Sequence, residues 1–158
     1  MIALYAGYFD PFTLGHLNIV RRAEKTFDKV VVAVAADSPK KAVFTADERE
    51  KIMRTIFKNS PKIQIDRFDG LLIDYAKRKE VKVVLRGIRT VSDFEYEYQM
   101  ALSNHALSPD IETLFMMTEG EYSYISSTLI KEVARLGGDV SHMVPSEVVA
   151  ELKKKYAS

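Results

Sequence analysis

His16 closes a ten-residue stretch, Gly7-Tyr8-Phe9-Asp10-Pro11-Phe12-Thr13-Leu14-Gly15-His16, that follows an apolar strand-like run and precedes a segment with helical periodicity from Leu17. That order sets a glycine-bearing turn and one histidine at a helix N-terminus, where unpaired backbone N–H groups and the helix dipole favour an anion. The imidazole adds a donor that can be aimed at phosphate charge. Further on, Arg86-Gly87-Ile88-Arg89 places two guanidinium groups around a glycine, and such forked donors grip phosphate oxygens bidentately. A third segment, Tyr122-Ser123-Tyr124-Ile125-Ser126-Ser127-Thr128, ends in three hydroxyl residues at a helix start, more than an N-cap requires. Lys40 and Lys41 form a basic pair that on residue type alone reads as a solvated surface pair, and only its position after the second strand points to the phosphate edge. Each segment alone has a plain structural explanation as a turn, a cap or a surface charge. Together they make an inventory of cations, hydroxyls and helix N-termini suited to handling phosphates.

Such segments need a scaffold that gathers them. Residues 2–6, 29–36, 63–68, 81–86 and 112–117 read as strands, separated by amphipathic stretches long enough for crossover helices. This alternation predicts one α/β domain over residues 1–158, a Rossmann-like, doubly wound, parallel five-stranded sheet. Thr45 with Glu48 forms a T-x-x-E capping box ahead of Ile52, Ile56 and Phe57. Ser126 or Ser127 opens a helix that stops at Gly137-Gly138, and a last helix begins near Pro145 and ends in Lys153-Lys154-Lys155. In an open parallel sheet, ligands bind beyond the carboxyl ends of the strands at the topological switch point. The loops after the first, second, fourth and fifth strands carry the segments above, so all are expected at one edge.

The ten-residue stretch resembles the G-[ST]-F-D-P-x-T-x-G-H signature of the phosphopantetheine adenylyltransferases, a branch of the nucleotidyltransferase superfamily, with Tyr8 in place of serine or threonine. Residues 86–97 resemble that family's R-G-[LI]-R-x-x-x-D-[FY]-E-Y-E block, and the I-S-S-T of residues 125–128 is similar to its I-S-S-S. Lys40 to Arg49 is similar to K-x-x-M-F-[TS]-x-x-E-R, with Val43 at the methionine position. The resemblance implies transfer of the adenylyl group of ATP to 4′-phosphopantetheine, giving dephospho-CoA and pyrophosphate, in coenzyme A biosynthesis. It implies catalytic roles for His16, Lys40 and Arg89. ATP would meet Tyr8, Phe9, His16, Gly87, Ile88, Arg89 and Glu97, and the run Tyr122, Ser123, Tyr124, Ile125, Ser126, Ser127 and Thr128. The second substrate would meet Tyr8, Lys40, Leu72 and Arg86. Also implied are Mg²⁺ carried with ATP rather than by protein ligands, CoA as a candidate inhibitor, and a homohexamer built as a dimer of trimers. Tyr8 stands where a small hydroxyl would touch phosphate; its ring is expected to turn aside and leave that contact to its backbone N–H.

Composition narrows the alternatives. With 158 residues, 47% hydrophobic and 28% charged, the chain has the make-up of a globular domain. A net charge of +1 lacks the excess expected of a general nucleic-acid binder. No cysteine is present, which removes disulfides, thiolate catalysis and cysteine-ligated metal. His105 and His142 have no carboxylate or histidine at ligand spacing. No membrane span and no leader are visible, so the cytoplasm is the expected location and no membrane partner is expected. Neither G-x-G-x-x-G nor G-x-x-x-x-G-K-[ST] occurs, which argues against a standard dinucleotide oxidoreductase and a P-loop kinase. Cytidylyltransferases and nicotinamide-mononucleotide adenylyltransferases commonly show H-x-G-H and lack the R-G-x-R block. A nucleotide-binding regulator that has lost the chemistry is the reading Tyr8 leaves open.

Overall fold

Residues 2–7 are alternately too apolar for water on either face, and the chain satisfies them by burying both. In the computed structural model, which describes residues 1–37 and 41–157, Ala3 and Tyr5 point into one hydrophobic cluster while Leu4 and Ala6 point into another. That two-sided burial is the mark of a central parallel strand. The elements run β1 (Ile2–Gly7), α1 (Leu14–Thr26), β2 (Lys29–Ala35), α2 (Ala46–Ile56), β3 (Ile63–Phe68), α3 (Leu72–Arg78), β4 (Val83–Ile88), α4 (Val91–Leu107), β5 (Glu112–Met117), a 3₁₀ turn (Gly120–Tyr122), α5 (Ser127–Arg135) and α6 (Ser146–Tyr156). All five strands are parallel, in the order β3-β2-β1-β4-β5. The larger core packs α1, α2, α5 and α6 against one face, through Ile19, Met53, Ile130 and Leu152 among others. The smaller sets Ile73, Tyr75 and Ala76 of α3 against the other. The expected fold class is what the chain adopts.

Four boundaries differ from the expected ones, the first being that of β1, which pairs through Gly7 with Val34 of β2 and so runs one residue past the expected 2–6. The fourth strand occupies Val83–Ile88 rather than residues 81–86, because its register with β5 runs from Val83↔Glu112 to Ile88↔Met117. Val81 is instead drawn to the end of α3, where its N–H donates to the Ala76 carbonyl at 3.0 Å. Arg86, Gly87 and Ile88 therefore lie within the strand, not after it. β2 stops at Ala35. The first helix begins at Leu14 rather than Leu17, because Thr13 caps it.

The predicted punctuation appears where expected. Thr45 and Glu48 exchange both bonds of a capping box at the start of α2. Beyond α5, Gly137 takes φ +81, and the Gly138 and Gly137 N–H groups donate to the Val133 and Ala134 carbonyls at 2.8 and 3.1 Å, a Schellman stop. Pro145 is the cap residue of α6. The last segment braces the first: the Leu14 N–H donates to the Met143 carbonyl at 2.9 Å, and Lys155 of α6 pairs with Glu48 at 2.9 Å.

Candidate active site

At the N-terminus of α1 the T-x-G-H sequence forms a reciprocal cap. The Thr13 hydroxyl accepts the His16 N–H at 3.2 Å, and His16 Nδ1 accepts the Thr13 N–H at 3.0 Å. A histidine here fills the place that Glu or Gln takes in most capping boxes. Because Nδ1 is an acceptor, the ring proton lies on Nε2, the other edge of the imidazole. Phe9 meets the ring edge-on at 5.1 Å between centroids, and Phe12 lies at 5.4 Å. Burial, then the charges of Arg89 and Arg86, push the His16 pKa down to about 3, so the imidazole is a neutral donor at physiological pH. Phe9 reaches this place with φ +55, a backbone strain that typically costs about 1–3 kcal/mol and that burial of its ring offsets. Gly7 leaves room beside it: a Cβ there would stand 3.2 Å from the Phe9 ring, close enough that the ring would have to shift. Gly15 meets no such backbone demand. A Cβ on Gly15 would sit at ordinary contact distances, so its smallness serves the cavity it lines.

That cavity, about 420 Å³, opens at the carboxyl ends of β1 and β4, the two strands flanking the switch in strand order. Tyr8, Phe9, His16, Arg86, Gly87, Arg89, Glu97, Ile125, Ser126, Ser127 and Thr128, eleven of the expected site residues, line it together. Ala42, beyond β2, joins them, so four loops do share this edge. Tyr8 is half exposed at the cavity; its carbonyl accepts from Arg49 at 2.7 Å, and its hydroxyl makes no hydrogen bond among the described residues. Arg86 donates to both Glu97 oxygens at 2.7 Å and to the Ala6 carbonyl at 2.9 Å. Burial works against its charge, but the bonds and charge of Glu97 outweigh that and raise its pKa. Two of its five N–H donors remain for a ligand, and each Glu97 oxygen keeps a lone pair.

Other expected residues stand apart. Ile88 is buried in β4. Tyr122 packs on the larger core, the Ser123 hydroxyl donates to the Gly120 carbonyl at 2.8 Å, and Tyr124 is exposed, so these three shape the approach to α5 rather than the cavity wall. Leu72 sits at the start of α3 and packs on the smaller core, away from the cavity. Lys40 lies outside the described residues. The three hydroxyls at α5 also divide their work. Ser126 caps the helix by accepting the Leu129 N–H at 3.1 Å, and Ser127 donates to the Pro11 carbonyl at 2.9 Å. Thr128 has no such partner among the described residues, so its hydroxyl and the backbone donors of this turn are what a phosphate would meet.

Sequence reasoning passed over four residues. Asp10, a member of the ten-residue stretch with no role assigned from sequence, is buried and accepts the Val43 and Phe44 N–H groups at 3.0 and 2.9 Å, tying the loop before α2 to the cavity wall. Arg49, almost wholly buried, joins three carbonyls: Phe44 at 3.2 Å, Tyr8 at 2.7 Å and Ala35 at 2.8 Å. Among the described residues its Nη2 has no partner, and burial lowers its pKa. Tyr5 lines the cavity with a phenol whose pKa burial raises, so it stays protonated. Lys131 of α5 faces the cavity and Asp10. Of these, only Lys131 had a legible signal: it follows Ser127 by four residues, the spacing that shares a helix face.

A doubly wound parallel sheet with a neutral histidine, paired arginines and two helix N-termini converging on its switch-point cavity defines a nucleotide-binding α/β protein built for phosphate chemistry. Residues 4–133 match the cytidylyltransferase-like family. The chain is 50% identical over 154 residues to the phosphopantetheine adenylyltransferase of Clostridium tetani (strain Massachusetts / E88), covering 98% of this chain and 96% of that protein. It is also 50% identical over 153 residues to the phosphopantetheine adenylyltransferase of Clostridium botulinum (strain Langeland / NCTC 10281 / Type F), covering 97% and 93%. The chain belongs to the phosphopantetheine adenylyltransferase family, within the cytidylyltransferase-like nucleotidyltransferases.

Proposed function

We infer that this protein transfers the adenylyl group of ATP to 4′-phosphopantetheine, releasing pyrophosphate and forming dephospho-CoA. The observation that carries the reading is one cavity lined by the T-x-G-H turn, the R-G-I-R strand end and the I-S-S-T helix start together. Pyrophosphate release from ATP with and without phosphopantetheine tests it. Release that depends on phosphopantetheine is expected; binding of ATP with no release would leave a nucleotide-binding regulator.

The attacking group is the phosphate of phosphopantetheine, whose second pKa of about 6 leaves it ionised at neutral pH. No general base is needed. Attack in line on the α-phosphorus breaks its bond to the bridging oxygen, and pyrophosphate leaves with the electron pair. The work of the site is positioning and stabilisation of charge on the α-phosphate oxygens. His16 Nε2–H is the donor for that charge, held in one tautomer by Thr13 and kept neutral by burial. Arg86, locked by Glu97, fixes the incoming phosphate through its remaining N–H groups, and Arg89 moves to ATP. Lys40 is proposed as a further cation between the two phosphates, and Tyr8 as a contact through its backbone N–H. Leu72 is proposed for the pantetheine arm, which must then reach across from β1 toward β3.

Among the described residues no group of three His, Cys, Asp or Glu side chains could hold a metal ion, and Asp10, Asp93 and Glu97 already face cations. A Mg²⁺ ion in this reaction would be held by ATP's own oxygens and water, entering with the nucleotide and neutralising its charge. CoA shares the adenylyl and pantetheine parts of the product and is proposed to compete for the same cavity. ATP and phosphopantetheine are cytoplasmic metabolites, so that location goes with the reading; no helix of the described residues is long and apolar enough to cross a membrane.

We also propose self-association, as a hexamer of two trimers. Supporting it, α4 buries only Glu97 while Val91, Phe94, Tyr98, Leu102 and Leu107 are exposed, and edge strand β5 leaves Leu114, Phe115 and Met117 open. So much contiguous apolar surface on a monomer is an interaction site.

A further inference from the structure

Tyr5 is 6% exposed, and its phenol is the one buried ionisable group of the cavity wall with no hydrogen bond among the described residues. The hydroxyl is not sealed in. Arg49 Nη2 is the only fully enclosed side-chain nitrogen or oxygen without a partner among those residues, so the tip of Tyr5 opens into the cavity. Its direction follows from the sheet. Tyr5 of β1 lies beside Leu85 of β4 in parallel register and both side chains enter the larger core, so Gly87, two residues on, presents the same face. With no side chain at Gly87 the phenol has room: a Cβ there would stand 3.7 Å from the Tyr5 hydroxyl. The Phe9 ring, 5.6 Å away between centroids, and the His16 ring, 6.4 Å away, pack beside it. Buried hydroxyls are seldom left without a partner, and a donor kept open in a cavity wall is a place for an acceptor that arrives with a ligand.

The charges on either side say which acceptor. Arg86 acts on the phenol more strongly than Arg89 does, whereas on the His16 imidazole Arg89 acts more strongly than Arg86. The two neutral donors therefore divide the cavity, the imidazole toward Arg89 and ATP, the phenol toward Arg86 and the incoming phosphate. Burial keeps the phenol protonated, so it attracts that phosphate where a phenolate would repel it. We propose that the Tyr5 hydroxyl binds the phosphate of phosphopantetheine, donating to an oxygen that Arg86 leaves open. The proposal rests on the adenylyl-transfer reading, which puts that phosphate beside Arg86. The attacking phosphate gives up negative charge to the new P–O bond, so a hydrogen bond to it is no stronger in the transition state than before. Such a contact lowers KM and leaves kcat unchanged.

Tyr5→Phe removes one oxygen and keeps the ring. Since that oxygen bonds nothing among the described residues, the variant should melt within about 2 °C of the wild type. A Tm lower by more than about 5 °C would make the hydroxyl structural and overturn the proposal. Calorimetric titration of 4′-phosphopantetheine should show about tenfold weaker binding to the variant, the loss of one hydrogen bond to a charged group, while ATP with Mg²⁺ changes by less than about twofold. In turnover, the phosphopantetheine KM should rise by about the same factor, with kcat and the ATP KM within about twofold of the wild type. Equal phosphopantetheine affinity in the two proteins overturns the proposal, as does an equal loss for ATP. A lower kcat at an unchanged phosphopantetheine KM overturns it too, by setting the hydroxyl on the α-phosphate. A wild type that binds phosphopantetheine without releasing pyrophosphate sinks the adenylyl-transfer reading, and the two titrations still decide Tyr5. A wild type that does not bind phosphopantetheine overturns both.

Discussion

His16 has two duties at one position, and substitutions can separate them. His16→Ala removes both the imidazole donor and the acceptor for the Thr13 N–H. Turnover should fall by about 10²–10³, the usual cost of one donor to developing charge, with the ATP KM changed less than threefold. Stability should drop by about 1 kcal/mol, read as a Tm lower by roughly 2–4 °C. His16→Gln can keep the cap, so its Tm should return toward the wild-type value while its rate does not. The ring also sets a pH dependence. Its folded pKa of about 3 lies below the unfolded 6.5, so the unfolded chain binds more protons between those values. The neutral ring's contribution is fully present above pH 6.5 and is lost as pH falls toward 3, with a slope of at most about 1.4 kcal/mol per pH unit. Denaturation of the His16→Gln variant across pH 4 to 7 should lack that component. Tyr8→Thr removes a ring that faces solvent and leaves the Arg49 bond to the carbonyl in place. It should change stability by less than about 0.5 kcal/mol and lower the phosphopantetheine KM. Unchanged KM and kcat would show that position 8 acts through its backbone alone.

At the scale of elements, α5 depends on how it ends as much as on how it begins. A Cβ on Gly138 would stand 2.6 Å from Val133 Cγ1 and 3.1 Å from the carbonyl its own N–H bonds. Gly138→Ala should therefore cost about 1–3 kcal/mol by thermal melting and raise the ATP KM, because α5 carries the hydroxyl turn. Much at this scale was legible. The β-branched runs gave strands, Thr45 with Glu48 gave a capping box, and Gly137-Gly138 gave a stop, since each rests on neighbours a few residues apart. What escaped depends on distant partners. β4 runs on through Gly87 and Ile88 because β5 pairs there, and no local run of apolar residues announces it. The early start of α1 was hidden because its box uses histidine where glutamate is the usual signal. Within the site, Arg86 and Glu97 were each read as ligand contacts, but their pairing needs a strand end and the second turn of a helix brought together. Asp10 meets Lys131 across 121 residues, a contact no motif spells out.

At the scale of the molecule, the open apolar face of α4 and β5 supports the proposed self-association. Light scattering after size exclusion should give a hexamer, and Tyr96, exposed within the same helix, offers a site to disturb it. Tyr96→Glu should shift the mass downward, and a wild-type monomer would remove the proposal. The strand order has a consequence for synthesis. β1, β2 and β3 are consecutive in the chain and adjacent in the sheet, so they can assemble while the ribosome is still at work. β1 then waits as a bare edge until β4 arrives on its other side. The cavity lies along that seam, and its roof, α5, emerges later still. A chain interrupted between those halves would lack β4 and α5, and with them two sides of the cavity, so competence to bind nucleotide reports that translation has run nearly to completion.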